Sequence, residues 1–112
     1  MIKKDVQGRV IIIAEAGVNH NGSVERALKM IDVAADSGVD IIKFQTFNAK
    51  QVITQKTPKA GYQVRTTGDA ESMLEMAQKL ELNNDAHHSL MHHCKERKIE
   101  FLSSPFDMQS MQ

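Results

Sequence analysis

The stretch Ile11-Ile12-Ile13-Ala14-Glu15-Ala16-Gly17-Val18-Asn19-His20-Asn21-Gly22 constrains this chain more than any other. It runs from a β-branched apolar segment through a single carboxylate into a polar loop with two glycines. An apolar run without alternation is the pattern of a parallel strand covered on both faces. Parallel strands need crossover connections, and these are usually helices. Val10–Ala14 is therefore predicted as a first strand that delivers Glu15 to its edge. A charge there does little for packing, whereas the carboxyl ends of strands in α/β folds border the crevices where ligands sit.

The next residues supply the crossover. Ser23 is a good N-cap, and Val24, Ala27, Leu28, Ile31, Ala34 and Ala35 recur at helical spacing to form one apolar stripe. Lys29, Asp32 and Asp36 fall on the other side, and Gly38 stands at the left-handed position that closes helices. Val39–Thr46 reads as a second strand in which Lys43 and Gln45 share one face and Ile42 and Phe44 the other. From Phe47 to about Gly68 no periodicity emerges, and structureless segments of roughly 20 residues inside a compact domain are usually functional. Helical spacing returns near Ser72 and pauses at Leu82–Asp85. It then resumes to about Arg97, with Leu90, Met91 and Cys94 predicted to face inward. Ile99–Ser103 reads as a third strand, leading into Ser104-Pro105-Phe106-Asp107.

The order β-α-β-α-α-β implies right-handed crossovers and a parallel sheet. Three strands cannot close a barrel, so the 112 residues read as one piece of a larger α/β domain. Lys plus Arg and Asp plus Glu both number 14. This balance favours neither nucleic acid nor an anionic membrane as partner. Cys94 is the single cysteine and has no internal disulfide mate, which fits a reducing compartment. Val10–Ala14 is too short for a secretory core or a membrane span. A soluble, cytoplasmic protein is the expectation.

Four blocks, AEAGVNHNG, KFQTF, KAGYQ and FLSSPFD, stand in that order from about Val10 to Asp107. Together they resemble the sialic acid synthase family, which includes N-acetylneuraminate and legionaminic acid synthases. The resemblance implies that this chain is the N-terminal portion of a TIM (βα)₈ barrel of roughly 250 residues, usually followed by a small antifreeze-like domain. It implies condensation of phosphoenolpyruvate with the open-chain aldehyde of an N-acylated amino sugar such as N-acetylmannosamine. Phosphoenolpyruvate C3 attacks the aldehyde, water adds at C2, and the intermediate loses phosphate by C–O cleavage. A divalent ion, manganese or magnesium, polarises the aldehyde oxygen; its histidine ligands belong to later strands and not to this chain. The full-length form is expected to be a homodimer, and the 112-residue piece alone to be inactive. Two other readings stand beside this one: a non-catalytic βα scaffold, and a synthase of another sugar acid.

Glu15 matches the family's strand-one glutamate, placed to orient the attacking water or hold sugar hydroxyls. An ion pair with Lys43 would account for both charges without chemistry. The family uses the lysine at position 43 for anionic phosphoenolpyruvate, with Gln45 beside it on the same face. Ser104 matches a small hydroxyl residue that donates to the phosphate; as a bland alternative, Ser103 and Ser104 cap the following helix. Asn19 and His20 are candidates for either substrate contact or turn geometry. Tyr62, with Gln63 and Arg65, lies in the long loop that helps cover the sugar site in this family; a solvated loop is the alternative reading, and the favoured one for these side chains. His87, His88, His92 and His93 include an i, i+4 pair, but with no third ligand evident they read as a solvated helix flank. No metal ligand is assigned within the chain.

Overall fold

The computed structural model describes residues 8–52 and 73–111. It shows β1 (Ile13–Gly17), α1 (Val24–Asp36), β2 (Ile41–Thr46), α2 (Ala49–Val52), α3 (Met73–Leu80), α4 (Asn84–Glu96), β3 (Glu100–Pro105) and a 3₁₀ turn (Gln109–Met111). The three strands form an open parallel sheet in the order β1-β2-β3. This is an α/β fold with helices packed against one face.

The first helix forms as its sequence dictates. The Ser23 hydroxyl accepts from the Arg26 amide at 3.1 Å, satisfying one of the donors a helix start leaves open. Its apolar stripe buries Ala27, Ile31 and Ala34. At the other end the Gly38 amide bonds back to Ala35, with Gly38 at φ +79°. In α4 the Asn83 side chain plays the capping part, accepting from the Ala86 amide at 2.8 Å. Leu90 and Cys94 are buried beneath it, whereas Met91, expected inside, is 49% exposed because it falls on the flank away from α1. Ala16, Ile42 and Phe44 from the strands meet Ala27, Ile31, Ala86, Leu90 and Cys94 from the helices in one core.

All three strands differ from their sequence-based limits, with β2 beginning at Ile41 rather than Val39. β1 begins at Ile13 rather than Val10, and Val10 and Ile12 are largely exposed. The apolar run overestimated the strand because its first residues lie beyond the start of β2, with Ile13 already paired to Ile41. β3 extends through Ser104 and Pro105, since β2 runs far enough to pair with both. The region after Phe47, read as lacking periodicity, opens with the short helix α2. Its first amide is held by Glu81 Oε1 at 2.6 Å.

The histidine flank of α4 is not uniformly solvated. His88 and His92 are exposed, and His92 pairs with Glu96. His93 instead reaches across to α1, donating to Asp32 Oδ1 at 2.7 Å, where Arg97 also binds. Together His93 first and then Arg97 hold the Asp32 carboxyl below the usual carboxylate range. His87 turns toward the sheet, as described below.

Candidate functional site

Alternation and register put Ile13 and Glu15, Lys43 and Gln45, and Leu102 and Ser104 on the sheet face away from the helices. Glu15 pairs directly with Lys43 in the β1–β2 ladder, and Gln45 with Ser104 in the β2–β3 ladder. These polar groups thus sit on three adjacent strands, toward their carboxyl ends. Lys43 Nζ lies 2.9 Å from Glu15 Oε2 across a half-exposed surface. Of the ammonium's three protons, one serves this ion pair and the others remain available to an anionic ligand.

Gly17 lets the acid and the amide come together. The β1–β2 register shifts between Glu15 and Gly17, and Gly17 takes φ +55°, a conformation that suits glycine. A Cβ there would stand 3.2 Å from Glu15 Oε1 and 3.6 Å from Gln45 Nε2. The space that a side chain would occupy is the space into which both groups point.

The loop after β1 is arranged differently. Asn19 is exposed, but His20 is fully buried. Its Nδ1 accepts from the Gly22 amide at 2.9 Å, so the proton of the neutral ring resides on Nε2. Its ring stands 6.1 Å from that of Phe44, on the helix-packed side of the sheet. Burial, and secondarily the neighbouring His87, pushes its pKa below the ordinary histidine value. This placement fits the loop-structure reading of His20 better than substrate contact. Gly22, at φ +80°, is required because a Cβ would overlap the carbonyl oxygen of Lys79 in α3. The NHNG segment therefore seats α3 over the strand ends. Tyr62, Gln63 and Arg65 lie outside the described residues.

Sequence reasoning missed a second layer directly behind the polar face. Thr46 and Ser103 point to the helix side, where their hydroxyls hydrogen-bond to each other. Thr46 Oγ1 also lies 3.1 Å from His87 Nε2, and His87 Nδ1 lies 3.0 Å from the Asn83 carbonyl. Beside them Phe44 stacks on Phe101 at 5.7 Å, and His87 meets Phe101 edge-on at 6.5 Å. The period-two pattern contained the signal: Thr46 follows Ile42 and Phe44 on the buried face, where a hydroxyl needs a partner. Just beyond, Asp107 accepts from the amides of Asn48 and Ser110, each at 2.8 Å, tying the exits of β2 and β3 together. The Asn48 amide, followed by the Ser110 donors, lowers the pKa of the Asp107 carboxyl.

A profile of the NeuB family matches residues 30–112. The N,N'-diacetyllegionaminic acid synthase of Campylobacter jejuni is 54% identical over 103 residues, covering 92% of this chain and 31% of that protein. The N,N'-diacetyllegionaminic acid synthase of Legionella pneumophila is 41% identical over 100 residues, or 89% of this chain and 28% of the relative. Among solved structures, the N-acetylneuraminic acid (sialic acid) synthetase of Leptospira borgpetersenii in complex with citrate aligns with a TM-score of 0.73 at 29% identity. That match covers 91% of this chain and 31% of the other. The chain spans about a third of the length of the relatives it matches. With the profile covering most of its residues and both synthases matching along its length, this chain belongs to the NeuB family.

Proposed function

We propose that this chain supplies the first three strands of a phosphoenolpyruvate-dependent sugar-acid synthase built as a (βα)₈ barrel. The acceptor is an N-acylated amino sugar, of the N-acetylmannosamine type or its diacetylated counterpart, and phosphate is released. The observation that carries this reading is the shared sheet face of Glu15, Lys43, Gln45 and Ser104 at the strand ends. Lys43 meets the phosphate or carboxylate of phosphoenolpyruvate with its remaining ammonium protons. The Gln45 amide and the Ser104 hydroxyl donate to anionic oxygens, since such charge-assisted bonds are the stronger kind. As Lys43 turns to the ligand, Glu15 keeps an acceptor for the water that adds at C2 or for a sugar hydroxyl.

The family resemblance brings a divalent ion to this reaction. Among the described residues no cluster of three or more His, Cys, Asp or Glu side chains can hold one. The ligands are assigned to later strands, and no step above depends on the ion. Among the described residues, too, no helix is long and apolar enough to cross a membrane. A cytoplasmic, dimeric full-length enzyme is part of the proposal.

The test replaces the matching segment of the Campylobacter jejuni synthase with residues 1–112 and measures phosphate release from phosphoenolpyruvate. Supplied with manganese and an N-acylated amino sugar, the chimera is expected to turn over, and the 112-residue chain alone is not. A folded chimera without activity would count for a non-catalytic scaffold, and turnover by the isolated chain would contradict the assignment of essential groups to later strands.

A further inference from the structure

The side chains behind the polar face form a directed hydrogen-bond relay. The Asn83 carbonyl accepts only, so His87 Nδ1 carries the ring proton and donates to it at 3.0 Å. In the neutral ring His87 Nε2 is then the acceptor, and the Thr46 hydroxyl 3.1 Å away donates to it. With its proton so engaged, Thr46 Oγ1 accepts from the Ser103 hydroxyl. Each hydroxyl orientation follows from the previous one, and the order ends at the N-cap of α4, whose own side chain is bound to the Ala86 amide. The relay therefore fixes the end of β2 and the end of β3 to a rigid helix start.

Its position gives it a functional meaning. Thr46 directly follows Gln45, and Ser103 directly precedes Ser104, so the relay grips the backbone on either side of the Gln45–Ser104 pair. Strand ends are where a sheet frays first, and here the Phe106 amide bond to the Thr46 carbonyl, 3.1 Å long, is the last backbone tie between β2 and the segment after β3. A side chain on a frayed end loses its aim, and a displacement of about 1 Å can cost on the order of a hundredfold in rate.

We propose that Thr46, Ser103 and His87 are positioning residues for the phosphoenolpyruvate contacts made by Gln45 and Ser104. This rests on the functional reading given above. Packing alone would need no polar relay at these positions, since the volume of Thr46 can be filled by valine with the strand propensity retained.

The experiment compares Thr46→Val with Thr46→Ser in the chimera. Wild-type turnover first tests the functional reading, so a failure of that reading is distinguishable from a failure of this one. The expected result for Thr46→Val is a rise of roughly tenfold in KM for phosphoenolpyruvate, with the acceptor-sugar KM unchanged, since loss of aim is felt where Gln45 and Ser104 bind. Thr46→Ser keeps the hydroxyl and should retain the wild-type value, and Ser103→Ala should shift KM in the same direction as Thr46→Val. A second measurement, amide exchange of Phe106 in the chain itself, should accelerate in Thr46→Val and not in Thr46→Ser. It reports the fixing of the strand ends alone, and the split between the two KM values carries the positioning role. Wild-type behaviour of Thr46→Val in these measurements, or equal damage from Thr46→Ser, would overturn the proposal.

Discussion

The two faces of the sheet are built on opposite principles. On the helix side, Phe44 is fully buried, Ile42 and Ala16 nearly so, and the hydroxyls of Thr46 and Ser103 are tied into the His87 relay, while the buried His20 ring is held through Nδ1 by the Gly22 amide. On the other side Ile13 is 48% and Leu102 38% exposed, and the polar groups Glu15, Lys43, Gln45 and Ser104 share the surface with them. Ile41, at the start of β2, is the buried exception on that side. The contrast teaches that one side of the three strands carries the packing while the other presents its polar groups to the surface. Alternation allows this, because neighbouring residues such as Phe44 and Gln45 can serve the two ends independently.

The largest expected effect breaks the helix side. Phe44→Ala should lower unfolding stability by about 3–5 kcal/mol, measured by urea denaturation of the chain. Leu102→Ala on the open face should cost less, about 1–2 kcal/mol, because over a third of that residue stays in water. Equal losses would mean that the two faces do not differ as described.

Two glycines sharpen the comparison at the next level. Gly38 at φ +79° has open space around it, so Gly38→Ala carries only the backbone penalty of roughly 1–2 kcal/mol. Gly22→Ala adds an overlap with the Lys79 backbone and should shift the thermal midpoint further. A smaller shift at Gly22 would show that α3 is not seated on the NHNG loop.

A pH titration reads the buried loop. Because burial holds the pKa of His20 below the unfolded value of about 6.5, the unfolded chain takes up a proton first as pH falls. The stability tied to neutral His20 is intact above about pH 6.5 and declines below it. His20→Asn keeps an acceptor for the Gly22 amide and removes the titration, so it should flatten the decline between pH 6.5 and 5. An unchanged slope would place the titration elsewhere. The smallest effect is expected from His92→Ala, whose partner Glu96 is equally exposed; the midpoint should not move measurably.

Much of this arrangement was legible in the sequence. The stripe from Val24 to Ala35, the Ser23 cap and Gly38 define α1 by local rules that the structure follows. Lys43 and Gln45 were assigned to one face by alternation alone, and they share it. What local pattern cannot supply is partnership across the fold. Val10 looked like strand because it is β-branched, yet nothing pairs with it in the sheet. His87 and His93 looked like members of a solvated flank because their partners, Thr46 and Asp32, are 41 and 61 residues away. His20 gave no sign of burial, since a loop of asparagines and glycines is polar until α3 covers it. For the candidate site, three of the four family-like blocks carry Glu15, Lys43, Gln45 and Ser104, which share one sheet face; the relay behind them is visible only in the folded structure.

The central claim is that the open face binds phosphoenolpyruvate through Lys43. The most direct measurement is the KM for phosphoenolpyruvate of the chimera carrying Lys43→Ala, with the acceptor-sugar KM and the unfolding midpoint recorded alongside. The account predicts a rise of roughly tenfold or more for phosphoenolpyruvate, since a charge-assisted contact is worth about 1.5–3 kcal/mol, with little change in the other two. Wild-type kinetics in a folded Lys43→Ala chimera would contradict it.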